Sequence, residues 1–353
     1  MRKESYEFLE AIVKSPSPSG FEQPVQRVVR KRMKPFANHI GTDVHGNVTV
    51  ALNPEATPRV MLAGHCDQIG LMVNYIDGQG YVFFKAIGGI DPSVVPGSRV
   101  VIHTEHGAVD GVIGRRPIHV LKPEDRGGKI ELRETWVDIG AKNHKEAKQV
   151  VSVGDPITFQ TELVHLGSNL VTAPALDNKC GTFVVMEALR ICAGKKLKCS
   201  LFAVSTVQEE VGLRGARTSC FGLDPQVGIA VDVTHATDYP DIDKRVNGDV
   251  KLGAGPTISI GANFNPPLQT LFKKSAKRKR ISFQTEAAPG GSPTDANAMQ
   301  LTRAGVATAL ISIPNRYMHT QVEVVSLNDL TAAAQWIAET VTDIHGGIDF
   351  IPK

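Results

Sequence analysis

The stretch ALDNKCGTFVVMEALRICAGKKLKCSLFAVSTVQEEVG, residues 175–212, decides the fold. Residues 178–193 read as a helix of mostly apolar positions, and 199–207 as a short apolar strand. The unit repeats downstream. Strands are predicted over 227–233, 281–284 and 306–313, and helices over 267–279, 296–301 and 327–344. Alternation of this kind calls for a mainly parallel mixed sheet with helices on both faces.

Working outward, residues 1–35 read as two helices broken by Ser15-Pro16-Ser17-Pro18-Ser19-Gly20. Strand-like runs follow at 47–52 and 59–63. From 69 to 164 the character changes. Short β-like runs (81–84, 99–103, 108–113, 156–160) alternate with Gly/Pro turns, and a helical pattern survives only near 145–149. The economical reading is an α/β domain of residues 1–68 plus 165–353, interrupted by a small β-barrel or sandwich at 69–164.

Composition bounds the function. The chain has 353 residues, 42% hydrophobic and 21% charged, which excludes disordered and fibrous classes. The net charge of +3 argues against a general nucleic-acid or membrane-surface binder. Six basic residues between Lys273 and Arg280 read as the solvated face of an amphipathic helix built on Leu268, Leu271, Phe272 and Ala276. Cys66, Cys180, Cys192, Cys199 and Cys220 form no CxxC pair, so they read as core residues of a protein in a reducing compartment. The N-terminus lacks a signal-peptide pattern, and no apolar run reaches the ~20 residues of a membrane span. A cytoplasmic protein is expected.

The chemistry-bearing residues sit at strand ends. Val60–Asp67 is an apolar run closing on His65-Cys66-Asp67, where alternation places His65 and Asp67 on one side. Asp177 precedes a helix and reads either as its N-cap or as a carboxylate able to bridge two cations. Glu209 and Glu210 end one strand, Asp232 another, and His319 follows a third. In open α/β sheets, ligands bind at the carboxyl ends of the strands. Two histidines with carboxylates suit Zn²⁺, Co²⁺ or Mn²⁺. A shared carboxylate holds two such ions about 3.5–4 Å apart in co-catalytic hydrolases. His103, His106, His119, His144 and His165 fall in or beside the β module and read as surface or packing residues, whereas His235 lies close to Asp232.

At this point the sequence resembles the tetrahedral-aminopeptidase (TET-type) family of co-catalytic metallopeptidases, which includes glutamyl, leucyl and lysyl aminopeptidases. The resemblance covers nearly the whole chain. It runs through SPSPSGFE (15–22), AGHCDQIGLMV (63–73), GGIDPSVVPGSRV (88–100), VDIGAKNHKEA (137–147), ALDNKCG (175–181), VQEEVGLRGA (207–216), THATDYP (234–240) and IPNRYMHTQVEVV (313–325). It implies a zinc-exopeptidase-like sheet that hydrolyses N-terminal residues from peptides. It further implies that Asp177 bridges two divalent metals, Zn²⁺ or Co²⁺ with Mn²⁺ as an alternative. His65 and Asp232 would complete one site, and Glu210 and His319 the other. Glu209 would be the general base and Asp67 the residue that orients His65. The 69–164 insert would be a dimerisation and lid domain, with dimers building a tetrahedral dodecamer. PGGSPTDANAMQ (289–300) departs from the family pattern at Ser292-Pro293. The competing readings are a carboxypeptidase or deacylase on the same scaffold, and an endoglucanase-type glycoside hydrolase using two carboxylates.

Overall fold

The structure, a computed structural model, describes residues 1–125 and 127–353. Helices α1 (Lys3–Lys14) and α2 (Gln23–Met33) lead into strands β1 (His39–Thr42), β2 (Val48–Leu52) and β3 (Arg59–His65). Six strands then form a closed barrel. They are β4 (Gly70–Ile76), β5 (Val82–Ile87), β6 (Arg99–Thr104), β7 (Gly107–Arg115), β8 (Thr135–Asp138) and, after helix α3 (His144–Lys148), β9 (Pro156–Phe159). Their order is β4-β5-β8-β7-β6-β9, with β9 pairing back on β4. The barrel has its own interior, built from Leu71, Val82, Ile102, Val137 and Ile157 among others.

The chain then returns to the first sheet. Strands β10 (Val164–Leu166) and β11 (Leu170–Ala173) precede α4 (Leu176–Cys192), β12 (Ser200–Thr206), α5 (Arg214–Leu223), β13 (Val227–His235) and α6 (Lys244–Asn247). Next come β14 (Thr257–Gly261), α7 (Pro266–Lys279), β15 (Gln284–Ala288), α8 (Asp295–Gln300), β16 (Ala307–Arg316), β17 (Glu323–Ser326) and α9 (Leu327–Val341). The sheet runs β1-β2-β12-β3-β13-β16-β17-β11-β10, with β14 and β15 branching from β16. Its centre, β12-β3-β13-β16, is parallel, and the flanking pairs on both sides are antiparallel. Among the described residues, no helix is long and apolar enough to cross a membrane.

Both faces of this sheet are covered, which is why its central strands are continuously apolar. Along β3, Val60 and Leu62 enter a core made with α1, α2, α4, α7 and α9, while Met61 and Ala63 enter a second core made with α5 and α8. Helix α4 is buried along nearly its whole length. Helix α7 turns Leu268, Phe272 and Ala276 inward and leaves its basic residues exposed, with Arg278 paired to Asp343 at 2.7 Å. The five cysteines are free and buried.

One expected strand is displaced in the structure, and one helix carried no signal in the sequence. The strand expected at 281–284 lies instead at Gln284–Ala288. Ile281 and Phe283, which carried the apolar signal, are partly buried against the main core before the strand begins. Helix α5 carries little large-residue periodicity because its buried face is Gly215, Ala216, Ser219 and Cys220. The small face is required, since a Cβ on Gly215 would fall within 2.5 Å of the Val207 backbone.

Beneath the site, β3 and α4 approach each other backbone to backbone. A Cβ on Gly64 would meet the Gly181 carbonyl carbon at 2.5 Å and its oxygen at 2.6 Å. Neither backbone can yield without moving His65 or the start of α4. Gly64→Ala is therefore expected to cost about 1–3 kcal/mol through overpacking. Denaturant unfolding checks this, and a midpoint equal to that of the parent contradicts it.

Candidate metal centre

The four parallel strands β12, β3, β13 and β16 end at the same edge, and each delivers chemistry there. His65 is the last residue of β3, Glu209 and Glu210 follow β12, Asp232 lies near the end of β13, and His319 follows β16. Asp177 comes from the first turn of α4, where residues 177 and 178 leave helical geometry. Asn178 anchors that turn by donating to the Val231 carbonyl at 2.8 Å and accepting from the Gly181 N–H at 2.8 Å. Ala175, Gln208, Leu213, Tyr317 and His319 all have left-handed backbone, φ 55–64°. Non-glycine strain of this kind concentrates at functional sites.

The Asp177 carboxylate lies between the two histidines. Its Oδ1 is 3.4 Å from Nε2 of His65 and its Oδ2 is 3.2 Å from Nε2 of His319. Around His65 Nε2 also stand Glu209 Oε2 and Asp232 Oδ1, each at 3.6 Å. Glu210 Oε2 stands 3.6 Å from His319 Nε2. Ligand atoms of His65, Glu209 and Asp232 lie within 4.8 Å of one another, and so do those of Asp177, Glu210 and His319. All six residues that the sequence reading placed around the metals therefore meet at one place.

Hydrogen bonds hold the donors in place. His65 Nδ1 faces the Asp67 backbone carbonyl at 3.1 Å. A carbonyl only accepts, so in the neutral ring Nδ1 carries the proton and the Nε2 lone pair points at the carboxylates. The fully buried Asp67 carboxylate stands 3.4 Å from the same Nδ1 and accepts from the backbone N–H of Glu209 (3.0 Å) and Glu210 (3.2 Å) and from the Ser19 hydroxyl (2.6 Å). One side chain thus ties the end of β3 to the loop after β12.

The sequence reading missed a counterpart on the other side. Glu323, buried in β17, accepts from the backbone N–H of Asp177 at 2.8 Å and of His319 at 2.9 Å. Its signal was a carboxylate inside the apolar run Gln321–Ser326, where an unpaired charge is costly. Asp295 was also missed. It is buried behind Glu209 and accepts from the Thr206 hydroxyl at 2.6 Å. The barrel also reaches the site. Gly88 and Gly89 lie against Glu210 and His319, so that a Cβ on either would touch them within 3.8 Å. His103 and His165 bond to Thr158 and Tyr6 respectively, away from the site.

The electrostatics call for cations. Burial pushes Glu209 up to about 10 and Glu210 up to about 8, with neighbouring carboxylates adding to both. Burial likewise raises Asp232, Glu323 and Asp295, the last to about 7. The hydrogen bond from His319 to Asp177 lifts His319 to about 9. Burial opposes charge on His65, but Glu209, Asp177, Asp232 and Asp67 outweigh it and raise the group well above its ordinary value. Asp177 is held below the usual carboxylate range, because the two histidines outweigh its burial. Glu210 Oε1 is buried without a hydrogen-bond partner. Paired imidazole and carboxylate donors around such an oxygen fit divalent ions of the borderline class.

The site opens into a cavity of about 740 Å³. Its walls include Thr234, His235, Glu286 and the segment 288–294, so Ser292-Pro293 lies on the cavity wall.

Comparison with known proteins places this geometry. The M42 glutamyl aminopeptidase family model matches residues 46–336. Lysyl aminopeptidase from Pyrococcus furiosus is 37% identical over 350 residues, covering 98% of this chain and 99% of that protein. The TET aminopeptidase of Thaumarchaeota archaeon SCGC AB-539-E09 superposes with a TM-score of 0.93 at 34% identity, covering 97% of each chain. The TET1 peptidase of Pyrococcus horikoshii, described as assembling into a tetrahedron or a large octahedral shell, superposes with a TM-score of 0.86 at 30% identity. That match covers 96% of this chain and 100% of the other.

The raised groups predict a pH dependence of the metal-free protein. An acid whose pKa is higher folded than unfolded binds its proton preferentially when folded, so stability falls as pH rises between the two values. Glu209, Glu210 and Asp295 act in this sense from their ordinary values of 4.5, 4.5 and 3.8 up to about 10, 8 and 7. His319 adds to it from 6.5 to about 9. Asp177 acts oppositely, but only in acid below its unfolded value of 3.8. After chelation the melting temperature is expected to fall steadily from about pH 5 to pH 9, and saturating divalent metal should flatten that slope. A level or rising metal-free profile contradicts the reading.

Proposed function

The chain belongs to the M42 glutamyl aminopeptidase family, and from that membership we propose that it hydrolyses the N-terminal peptide bond of peptides with two divalent metal ions. The single observation that carries the reading is Asp177, whose two oxygens face two separate histidines. In this proposal Asp177 is shared, His65 and Asp232 hold one ion, and Glu210 and His319 hold the other. Zn²⁺ or Co²⁺ suits this nitrogen and oxygen set, with Mn²⁺ as an alternative. Bound there, such ions supply Lewis acidity, which polarises a carbonyl and acidifies water.

The chain's own residues do the rest. Glu209 also offers an oxygen to the cluster of His65 and Asp232, but in this proposal it stays off the ions, its mostly buried side chain beside His65. It takes a proton from the attacking water and later gives it to the leaving amine as the C–N bond breaks. Burial raises the proton affinity of this carboxyl, and positive charge held by its neighbours would keep it ionised until the water delivers its proton. Asp67 fixes the tautomer of His65 and the backbone beneath Glu209 and Glu210, and Glu323 fixes the backbone of Asp177 and His319. A glycosidase acid/base pair would flank its substrate from opposite sides. Here Glu209 and Glu210 are adjacent in the chain and each stands beside a histidine, which favours the metal reading.

We further propose that the chain works as a homo-oligomer, in which the barrel at 69–164 serves as dimerisation and lid domain and dimers build a tetrahedral dodecamer. The shell-forming relative, similar over its whole length, supports this. Five buried free cysteines support a cytoplasmic location.

Glu209→Gln is expected to keep about two metal ions per chain while lowering kcat by about 10²–10⁴-fold. Asp177→Ala is expected to lose metal outright. Metal analysis beside steady-state kinetics reads both, and near-parental turnover in Glu209→Gln would remove it from the base role.

A further inference from the structure

The cavity beyond the metal residues contains a carboxylate that the catalytic reading does not use. Glu286, on β15, lines the cavity but belongs to neither cluster of candidate ligands. Its Oε1 accepts from the Thr234 hydroxyl at 2.7 Å and its Oε2 from the Thr257 hydroxyl at 3.3 Å. These two neutral donors hold the carboxylate in place without neutralising it. Among the described residues, no lysine, arginine or histidine lies within ion-pairing distance of it. Among the described residues, the cavity lining contains no lysine or arginine. His235 is there, but an imidazole is not a permanent charge.

The position matters as much as the charge. Thr234 lies two residues beyond Asp232 on β13, so both side chains leave the strand on the same side, roughly 6.6 Å apart. Glu286, bonded to Thr234, therefore stands about one extended side chain away from the metal residues. A lysine has a four-carbon stem ending in a compact cation. Apolar wall atoms from Val233, Ala288, Leu310 and Met318 line the same cavity and suit such a stem. An acidic side chain entering here would meet Glu286 as a like charge.

We propose that Glu286 is the specificity residue of this chain, and that it selects peptides whose N-terminal residue is basic. The inference rests on the aminopeptidase reading and deepens it, because a substrate anchored at the metals would direct its first side chain along β13 to Glu286. The metals account for the carboxylates around them, which leaves the substrate's own cation as the partner for Glu286.

The test compares lysyl, arginyl, norleucyl and glutamyl p-nitroanilides on the metal-loaded full chain. Norleucine matches most of the lysine stem without its charge. The expected kcat/KM is at least ten-fold higher for lysyl than for norleucyl substrate, and lowest for glutamyl. Glu286→Gln, whose amide oxygen still accepts from Thr234, is expected to reduce the lysyl-to-norleucyl ratio ten-fold or more. Glu286→Asp should restore part of that ratio. A parental enzyme that hydrolyses these substrates with norleucyl or glutamyl preferred overturns this inference alone, as does an unchanged ratio in Glu286→Gln. Absence of turnover on every aminoacyl substrate overturns the aminopeptidase reading and this inference with it.

Discussion

The structure depends on one constraint: several mostly buried carboxylates share a small volume at the end of a sheet. Asp177, Glu209, Glu210 and Asp232 converge on His65 and His319, with Asp67, Asp295 and Glu323 immediately behind. Like charges so close cannot all ionise without cations. The raised affinity of Glu209 and Glu210 for protons shows what the chain does without them. Divalent ions replace those protons with fixed positive charge, so the arrangement that is costly in the bare chain becomes an affinity for metal.

The surrounding fold exists to hold that arrangement still. Four parallel strands set the spacing of the donors, and covering both sheet faces makes the platform rigid. Asp67 and Glu323 each join two elements through backbone N–H groups, so a ligand cannot shift without breaking bonds to a second segment. Gly64 lets α4 approach β3 closely enough for Asp177 to reach His65. The barrel enters through Gly88 and Gly89, and Gln321 donates to the Val94 carbonyl at 2.9 Å, which links the inserted module to the loop carrying His319.

Much of this was legible in the sequence, for physical reasons. His65 and Asp232 end strands whose apolar runs announce themselves, and α4 follows Asp177 directly. The residues that meet at the strand ends were therefore identifiable from the sequence pattern together with the family resemblance. Glu323 was not found, because it sits inside a short strand and acts through backbone hydrogen bonds that no motif records. Glu286 was hidden for another reason. Its strand, Gln284–Ala288, alternates half-buried and exposed positions and has no large apolar residue to mark it. The link from Glu286 to Thr234 crosses from β15 to β13, which only the three-dimensional branching of β14 and β15 from the main sheet reveals. Helix α5 was likewise silent, since close packing demanded small residues where periodicity analysis looks for large ones.

Everything proposed for this site turns on the sharing of Asp177 by two metal ions. Titration of the metal-depleted protein with Mn²⁺, followed by electron paramagnetic resonance, tests it most directly. Two equivalents are expected to bind per chain, with the second converting the isolated-ion signal into that of an exchange-coupled pair. Saturation at one equivalent, or two equivalents that remain magnetically isolated, would contradict it.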